Sequence, residues 1–145
     1  MTLSTQTSAP PLARPYAWNL VSLDYTRDFA PHCAEYAVDA LDLVRVPAGA
    51  RVLDVATGPG TLAFVAARRG LSVTAVDFSA DMIALLRGRA AAEGMDHRIL
   101  AREGDGEALP FAESTFDAAF SLFGLMFFAD RARGLSELHR VLVPG

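Results

Sequence analysis

The chain has no lysine: apart from three histidines, its 13 basic side chains are all arginine. That absence removes chemistry built on a lysine amine, both the Schiff base and the P-loop phosphate clamp. Cysteine is nearly absent as well. Cys33 alone can form neither an internal disulfide nor a thiolate metal cluster, so no metal site is expected. Although 52% of the residues are hydrophobic, no apolar run approaches the roughly 20 needed to span a bilayer. Met1 to Pro15 is rich in Ser, Thr and Pro and lacks the apolar core of a secretion signal. It reads as a flexible lead-in over residues 1–15, with one domain over 16–145. The formal charge is −4 and the arginines are scattered, which leaves no basic face for nucleic acid. The expectation is a soluble cytoplasmic protein with neither nucleic acid nor membrane as a partner.

What is present is most informative between Val52 and Ala63. A short apolar run holds one acid, Asp54, then breaks at Gly58-Pro59-Gly60 and restarts with helix formers. This is the pattern of a buried parallel strand, a tight loop and a helix N-terminus. A carboxylate inside a buried strand is costly unless it meets a cation or several donors, so Asp54 is a candidate for ligand contact.

The rest of the chain alternates in the same way. Helices are expected over Ala17–Phe29, Pro31–Arg45, Leu62–Arg69, Ala80–Glu93 and Ala132–Leu142. Strands are expected over Arg51–Ala56, Ser72–Asp77, Arg98–Arg102 and Phe116–Leu122. Ala34, Ala37, Val38, Leu41 and Val44 give the second helix one apolar stripe, Ser79 caps the fourth, and Pro144-Gly145 reads as a closing turn. Right-handed βαβ units place the C-terminal ends of the strands on one rim. Thr57–Gly60, Asp77-Phe78, Asp105 and Ser121–Phe123 meet there.

Two ligands compete for that rim. Gly58-x-Gly60-x-x-Ala63 followed by Asp77 fits the dinucleotide fingerprint, so NAD is one reading. Pro59 has no N–H to offer a pyrophosphate, and Asp54 sits badly beside an anionic diphosphate. S-adenosylmethionine carries a sulfonium and an ammonium and no phosphate, and acids near the loop suit it.

Four motifs carry a resemblance to a known family: VLDVATGPGTLA at 52–63, VTAVDFSADMI at 73–83, GDGEALPFAESTFDAAFSLFGLMFF at 104–128 and ELHRVLVPG at 137–145. In order and spacing the chain resembles the class I S-adenosylmethionine-dependent methyltransferases. It is similar in particular to the small-molecule group that includes the ubiquinone/menaquinone-biosynthesis C-methyltransferases. The resemblance covers Tyr25 to Gly145. It implies an α/β Rossmann-like core with parallel strand order 3-2-1-4 and flanking helices, lacking the family's strands 5–7. It implies that Ala56, Thr57, Gly58 and Gly60 line the methionine end and that Asp54 holds the ammonium. Asp77 would accept from the ribose hydroxyls, with Phe78 and Met82 flanking the adenine. Asp105, with Gly106 beside it, would accept from the adenine amino group. Ser121 and Leu122 would close the floor, and Tyr25 would be a lid over the cofactor.

Plainer readings stand beside these. Asp105 also fits an Asx turn, and Tyr25 and Trp18 also fit helix packing. His32, His97 and His139 read as solvated or structural. Phe123, Met126, Phe127 and Phe128 read as acceptor pocket or as core. No catalytic base is assigned. The fourth strand ends the expected sheet without the charge or proline that usually blunts an edge, so a homo-oligomer or a partner chain is expected at it. The function expected is methyl transfer to a small molecule, the alternative a non-catalytic half-domain that only binds the cofactor.

Overall fold

The computed structural model describes residues 10–145. Among the described residues the α-helices and strands are α1 (Pro15–Asp24), α2 (Ala34–Val44), β1 (Arg51–Val55), α3 (Thr61–Arg68), β2 (Ser72–Asp77), α4 (Ala80–Ala92), β3 (Ile99–Glu103), β4 (Ala118–Phe120) and α5 (Arg131–Val141). The strands form one sheet in the order β3-β2-β1-β4, every pair parallel. This is the expected Rossmann-like order. The order in which strands are added reverses between β1 and β4, which opens a crevice beyond their C-terminal ends.

Side-chain alternation along the strands divides the core. Val52, Val73, Ala75, Ala101, Ala118 and Phe120 pack against α2, α3 and α4 through Ala37, Leu62, Phe64, Ile83 and Leu86. Leu53, Val55 and Val76 face the other way, onto Val141 of α5 and the loop residues Leu109 and Phe116. Both faces of β1 are covered, so it reads as a continuous apolar run broken only by Asp54.

Several boundaries move, each for a local reason. The lead-in expected over 1–15 falls mainly on residues outside those described. Pro11–Ala13 forms a 3-10 turn, and the Trp18 indole N–H donates to the Leu12 carbonyl at 2.8 Å. The first helix stops being α-helical at Asp24. It continues as a π turn over Tyr25–Phe29 and a 3-10 turn over Ala30–Cys33, because Pro31 cannot donate to an α-helical ladder. That delays α2 to Ala34. Its buried residues are Ala37 and Leu41, while Val38 and Val44, placed on the stripe by periodicity, are exposed. β4 is shorter than Phe116–Leu122. The Asp117 carboxylate takes the Arg51 amide at 2.7 Å and its guanidinium at 3.1 Å, and the chain bends there. Phe116 falls in the opposite apolar layer from Ala118 and pairs with Leu142 instead, so Leu142-Val143 is extended against the sheet.

Gly60 shows how the crevice depends on close packing. Its φ is +91°, and a Cβ there would stand 2.9 Å from Leu86 of α4. Gly60→Ala combines left-handed strain with overpacking and is expected to cost about 2–4 kcal/mol. Urea unfolding measures it, and a loss under about 0.5 kcal/mol would refute the packing role.

Candidate functional site

The loop between β1 and α3 is built from backbone conformations that side chains resist. Ala56 has φ +55°, Gly58 +56° and Gly60 +91°. Thr57 N–H donates to the Val76 carbonyl at 3.0 Å, which ties the loop to β2. The Thr57 hydroxyl donates to Asp54 at 2.6 Å. Asp54 is only 1% exposed. Burial pushes its carboxyl up to about 7; the Thr57 hydroxyl and the Ala63 backbone amide oppose the shift and the nearby Asp77 charge adds to it.

Asp77, at the end of β2, holds two backbone groups. Gly58 N–H donates to one oxygen at 2.8 Å and Ser79 N–H to the other at 2.9 Å. Burial raises its carboxyl, and those N–H bonds work against the rise. Ser79 caps α4 as expected, accepting from Met82 N–H at 3.2 Å. Its hydroxyl also donates to the Asn19 side chain at 2.6 Å, docking α1 on the start of α4.

A cleft of about 880 Å³ opens between this rim and α1. Of the residues expected at the site, Tyr25, Ala56, Gly58, Asp77, Phe78, Met82, Asp105, Gly106 and Leu122 line it. Asp54 and Thr57 lie one layer deeper, around a polar cavity of about 30 Å³ beneath Tyr25 and next to Cys33. Gly60 lines neither space, and its place is against Leu86. Ser121 lines neither space; its hydroxyl is buried with no partner among the described residues.

Met82 is 1% exposed and turns one edge to the cleft. Asp105 lines the cleft and also forms the Asx turn, accepting from Glu107 N–H at 2.8 Å. Gly106 is needed because the Phe128 ring lies against it, where a Cβ would collide. Tyr25 lies over Gly58, its ring 3.8 Å from where a Cβ would stand. Burial first, then Cys33 and Asp77, push the Tyr25 hydroxyl up to about 12.

Phe123, Met126, Phe127 and Phe128 all line the cleft and so are wall more than core. Phe123 has φ +61°, and a Cβ on the next residue, Gly124, would collide with Ala56. Trp18 meets Tyr25 at 5.8 Å and Phe127 at 5.0 Å, both edge-on, which joins α1 to the far wall. None of the three histidines lines the cleft. Sequence reasoning missed Asn19, Glu103 and Glu107. Asn19 had no signal of its own, and the two acids could be found only by their nearness to Asp105. Among the described residues no group of His, Cys, Asp and Glu is arranged to hold a metal, and no helix is long and apolar enough to cross a membrane.

A parallel 3-2-1-4 sheet, a glycine turn after β1 and acids at the ends of β1 and β2 define a Rossmann-like methyltransferase core. The chain belongs to the methyltransferase domain family, whose model matches residues 52–145. It is 44% identical over 108 residues to a demethylmenaquinone methyltransferase of Thermus thermophilus, covering 73% of this chain and 48% of that protein. It is 39% identical over 127 residues to a ubiquinone/menaquinone biosynthesis C-methyltransferase of Geobacter sulfurreducens, covering 81% and 50%. The chain therefore spans about half the length of these curated relatives. Its fold is similar to that of a SAM-dependent methyltransferase from Aquifex aeolicus, at TM-score 0.68 and 22% identity, covering 74% of this chain and 58% of that one.

The state of Asp54 yields a stability test. Its folded pKa of about 7 lies above the ordinary 3.8, so the fold favours the protonated form. The stability this group contributes is full below about pH 4, declines as pH rises and is lost above about pH 7. Asp54→Asn is expected to flatten that decline and to stabilise the chain by about 2–4 kcal/mol at about pH 8. Urea unfolding across pH reads this, and equal slopes for both proteins would exclude a neutral-leaning Asp54.

Proposed function

We propose that the cleft binds S-adenosylmethionine and that the protein to which these residues belong transfers its methyl group to a small-molecule acceptor. The observation that carries this is Asp54, buried beside the loop with the Thr57 hydroxyl as its one side-chain donor, where it can take a cation. A proline in the loop and acids at the rim oppose a diphosphate, which argues against NAD. Residues 16–145 are read as one cofactor-binding unit that includes α1.

The roles follow position. Asp54, with Thr57, receives the ammonium. Ala56 and Gly58 let the backbone approach the methionine part, and Gly60 keeps the loop tight from behind. Asp77 has two backbone donors and keeps acceptor capacity on both oxygens for ribose hydroxyls. Phe78 and Met82 flank the base, Asp105 and Gly106 meet its edge, and Leu122 closes the floor with Ser121 buried behind it. Tyr25 covers the sulfur end. When bound, the cofactor supplies an electrophilic methyl group. The chain's residues orient it and exclude water, which in-line transfer needs most. The acceptor wall is Phe123, Met126, Phe127 and Phe128.

Calorimetry with S-adenosylhomocysteine and NAD tests the choice: binding of the first and not the second is expected, and the reverse would sink it. Asp77→Ala is expected to weaken S-adenosylhomocysteine binding by about 1.5–3 kcal/mol. Unchanged affinity in a folded variant would remove Asp77 from the site. Cation capture requires ionised Asp54, so affinity should be level above about pH 7 and fall as pH drops, approaching tenfold per unit. Affinity that is level from about pH 5 to 8 would place the ammonium elsewhere.

The outer edge of β4 supports a second chain or segment at that edge. Among the described residues only the Leu142–Val143 stretch pairs beyond it, at Phe116. Sedimentation is expected to show self-association, and a clean monomer at micromolar concentration would exclude a second copy there.

A further inference from the structure

The chain between β3 and β4 brings Asp105 and Gly106 to the cleft, yet no strand or helix runs through it. Its backbone polar groups must find partners elsewhere. Side chains of α5 supply them. Glu137 accepts the Leu109 N–H at 2.7 Å. Arg140 donates to the Leu109 carbonyl at 3.0 Å and the Phe111 carbonyl at 2.8 Å. Arg133 donates to the Glu107 carbonyl at 2.7 Å. The spacing i, i+4, i+7 puts these three side chains on one face of the helix. At the helix start the contact runs the other way: Glu107 accepts the Asp130 N–H at 3.1 Å, and Asp130 caps α5.

The clamp is itself braced. Arg140 meets the Glu137 carboxylate with Nε at 2.7 Å and Nη2 at 2.8 Å, a two-pronged pair that fixes both side chains. The guanidinium holds the Glu137 carboxyl below its ordinary range, so it remains an acceptor. The Phe128 ring fills the space where Gly106 of the loop and Gly134 of α5 lack a Cβ, which sets the distance between them. Arg133, Glu137 and Arg140 line no part of the cleft. What they hold does line it. Asp105 takes the Glu107 N–H on Oδ1 at 2.8 Å and the Ala108 N–H on its carbonyl at 3.1 Å. Its direction therefore depends on the backbone that α5 fixes, and Oδ2 keeps acceptor capacity.

Resting on the methyltransferase reading, we propose that Glu137 and Arg140, helped by Arg133, are positioning residues for recognition of the base. They hold the 105–111 backbone so that Asp105 is aimed before the cofactor arrives, and so set how sharply the site distinguishes adenine from a purine without its amino group. A side chain fixed in advance need not be ordered on binding. Loss of the clamp then weakens that discrimination, whereas general destabilisation lowers the affinity of both ligands alike.

Calorimetry on the full chain compares S-adenosylhomocysteine with S-inosylhomocysteine, which bears a carbonyl in place of the amino group. The adenosyl compound is expected to bind at least about tenfold tighter. Arg140→Met, which removes the fork, is expected to shrink that preference about threefold or more. Asp105→Ala should remove most of it, and adding Arg140→Met to Asp105→Ala should change the ratio no further, because both act through one contact. Arg98→Met breaks a comparable bond, from arginine to the Gly70 carbonyl at the opposite rim, and should leave the ratio as it is. If Arg140→Met fails to fold, Glu137→Gln is read the same way. A preference undiminished in these clamp variants, or diminished as much by Arg98→Met, overturns the positioning role and leaves the cofactor reading standing. So does a wild-type chain that binds both compounds equally, since Asp105 then does not read the base. A wild-type chain that binds neither overturns the cofactor reading and the proposal with it.

Discussion

The site depends on one carboxylate. Asp77 holds the Gly58 amide with one oxygen and the Ser79 amide with the other, so the loop after β1 and the start of α4 share a reference point at the end of β2. Ser79 passes the constraint on: its hydroxyl caps α4 and bonds Asn19 of α1. The floor and the roof of the cleft are thus positioned through one buried hydrogen-bonded chain. In a low-dielectric interior such a chain is strong when every member is satisfied and costly when one is lost. Its donors are mostly backbone, which explains how a buried carboxylate persists without an arginine beside it.

Backbone strain gathers where the sheet changes direction. Ala56 follows β1 and Phe123 lies three residues past β4, and both adopt left-handed conformations that cost a side-chain-bearing residue about 1–2 kcal/mol. The two turns press together, with Gly124 accepting contact from Ala56. Neighbouring bonds hold the strain: Thr57 to Val76, Gly60 to Thr57 and Phe127 to Gly124, each at 3.0 Å. Strain of this kind survives only where its surroundings over-determine it, and here both strained residues line the cleft.

The sheet was legible because its signals are local. β2 appears over Ser72–Asp77 as periodicity places it, and Ser79 caps α4 as its side chain requires. The strand order came with the resemblance and not from periodicity. The rim residues were legible because parallel topology sends every strand end to one side. What was hidden depends on contacts between distant segments. No local pattern marks the π turn that sets Tyr25 over Gly58, since it arises from a clash at Pro31 further along. The resemblance sets Gly60 at the methionine end and Gly106 beside Asp105, yet the side chains that require them are Leu86 and Phe128. A glycine in a motif announces that something comes close without saying what. The shortening of β4 belongs to the same class, because Arg51 competes for Asp117 from another strand.

Asp54 and Asp77 form an asymmetric pair whose difference follows from their donors. Both are buried, and the Asp77 charge adds to the rise of the Asp54 carboxyl. Asp77 meets backbone amides fixed by the chain, which stabilise its charge whether or not a ligand is present. Asp54 has the Thr57 hydroxyl and the single backbone amide of Ala63, and burial still pushes its carboxyl up to about 7. Neighbouring acids with environments this different suit different tasks. The better-supplied acid organises the loop, and the under-supplied one keeps acceptor capacity. A positive group arriving in the adjoining cavity would complete Asp54's shell and draw it into the ionised state. The loop that Asp77 holds would be ready before that group arrived, so the binding energy need not also be spent on ordering the backbone.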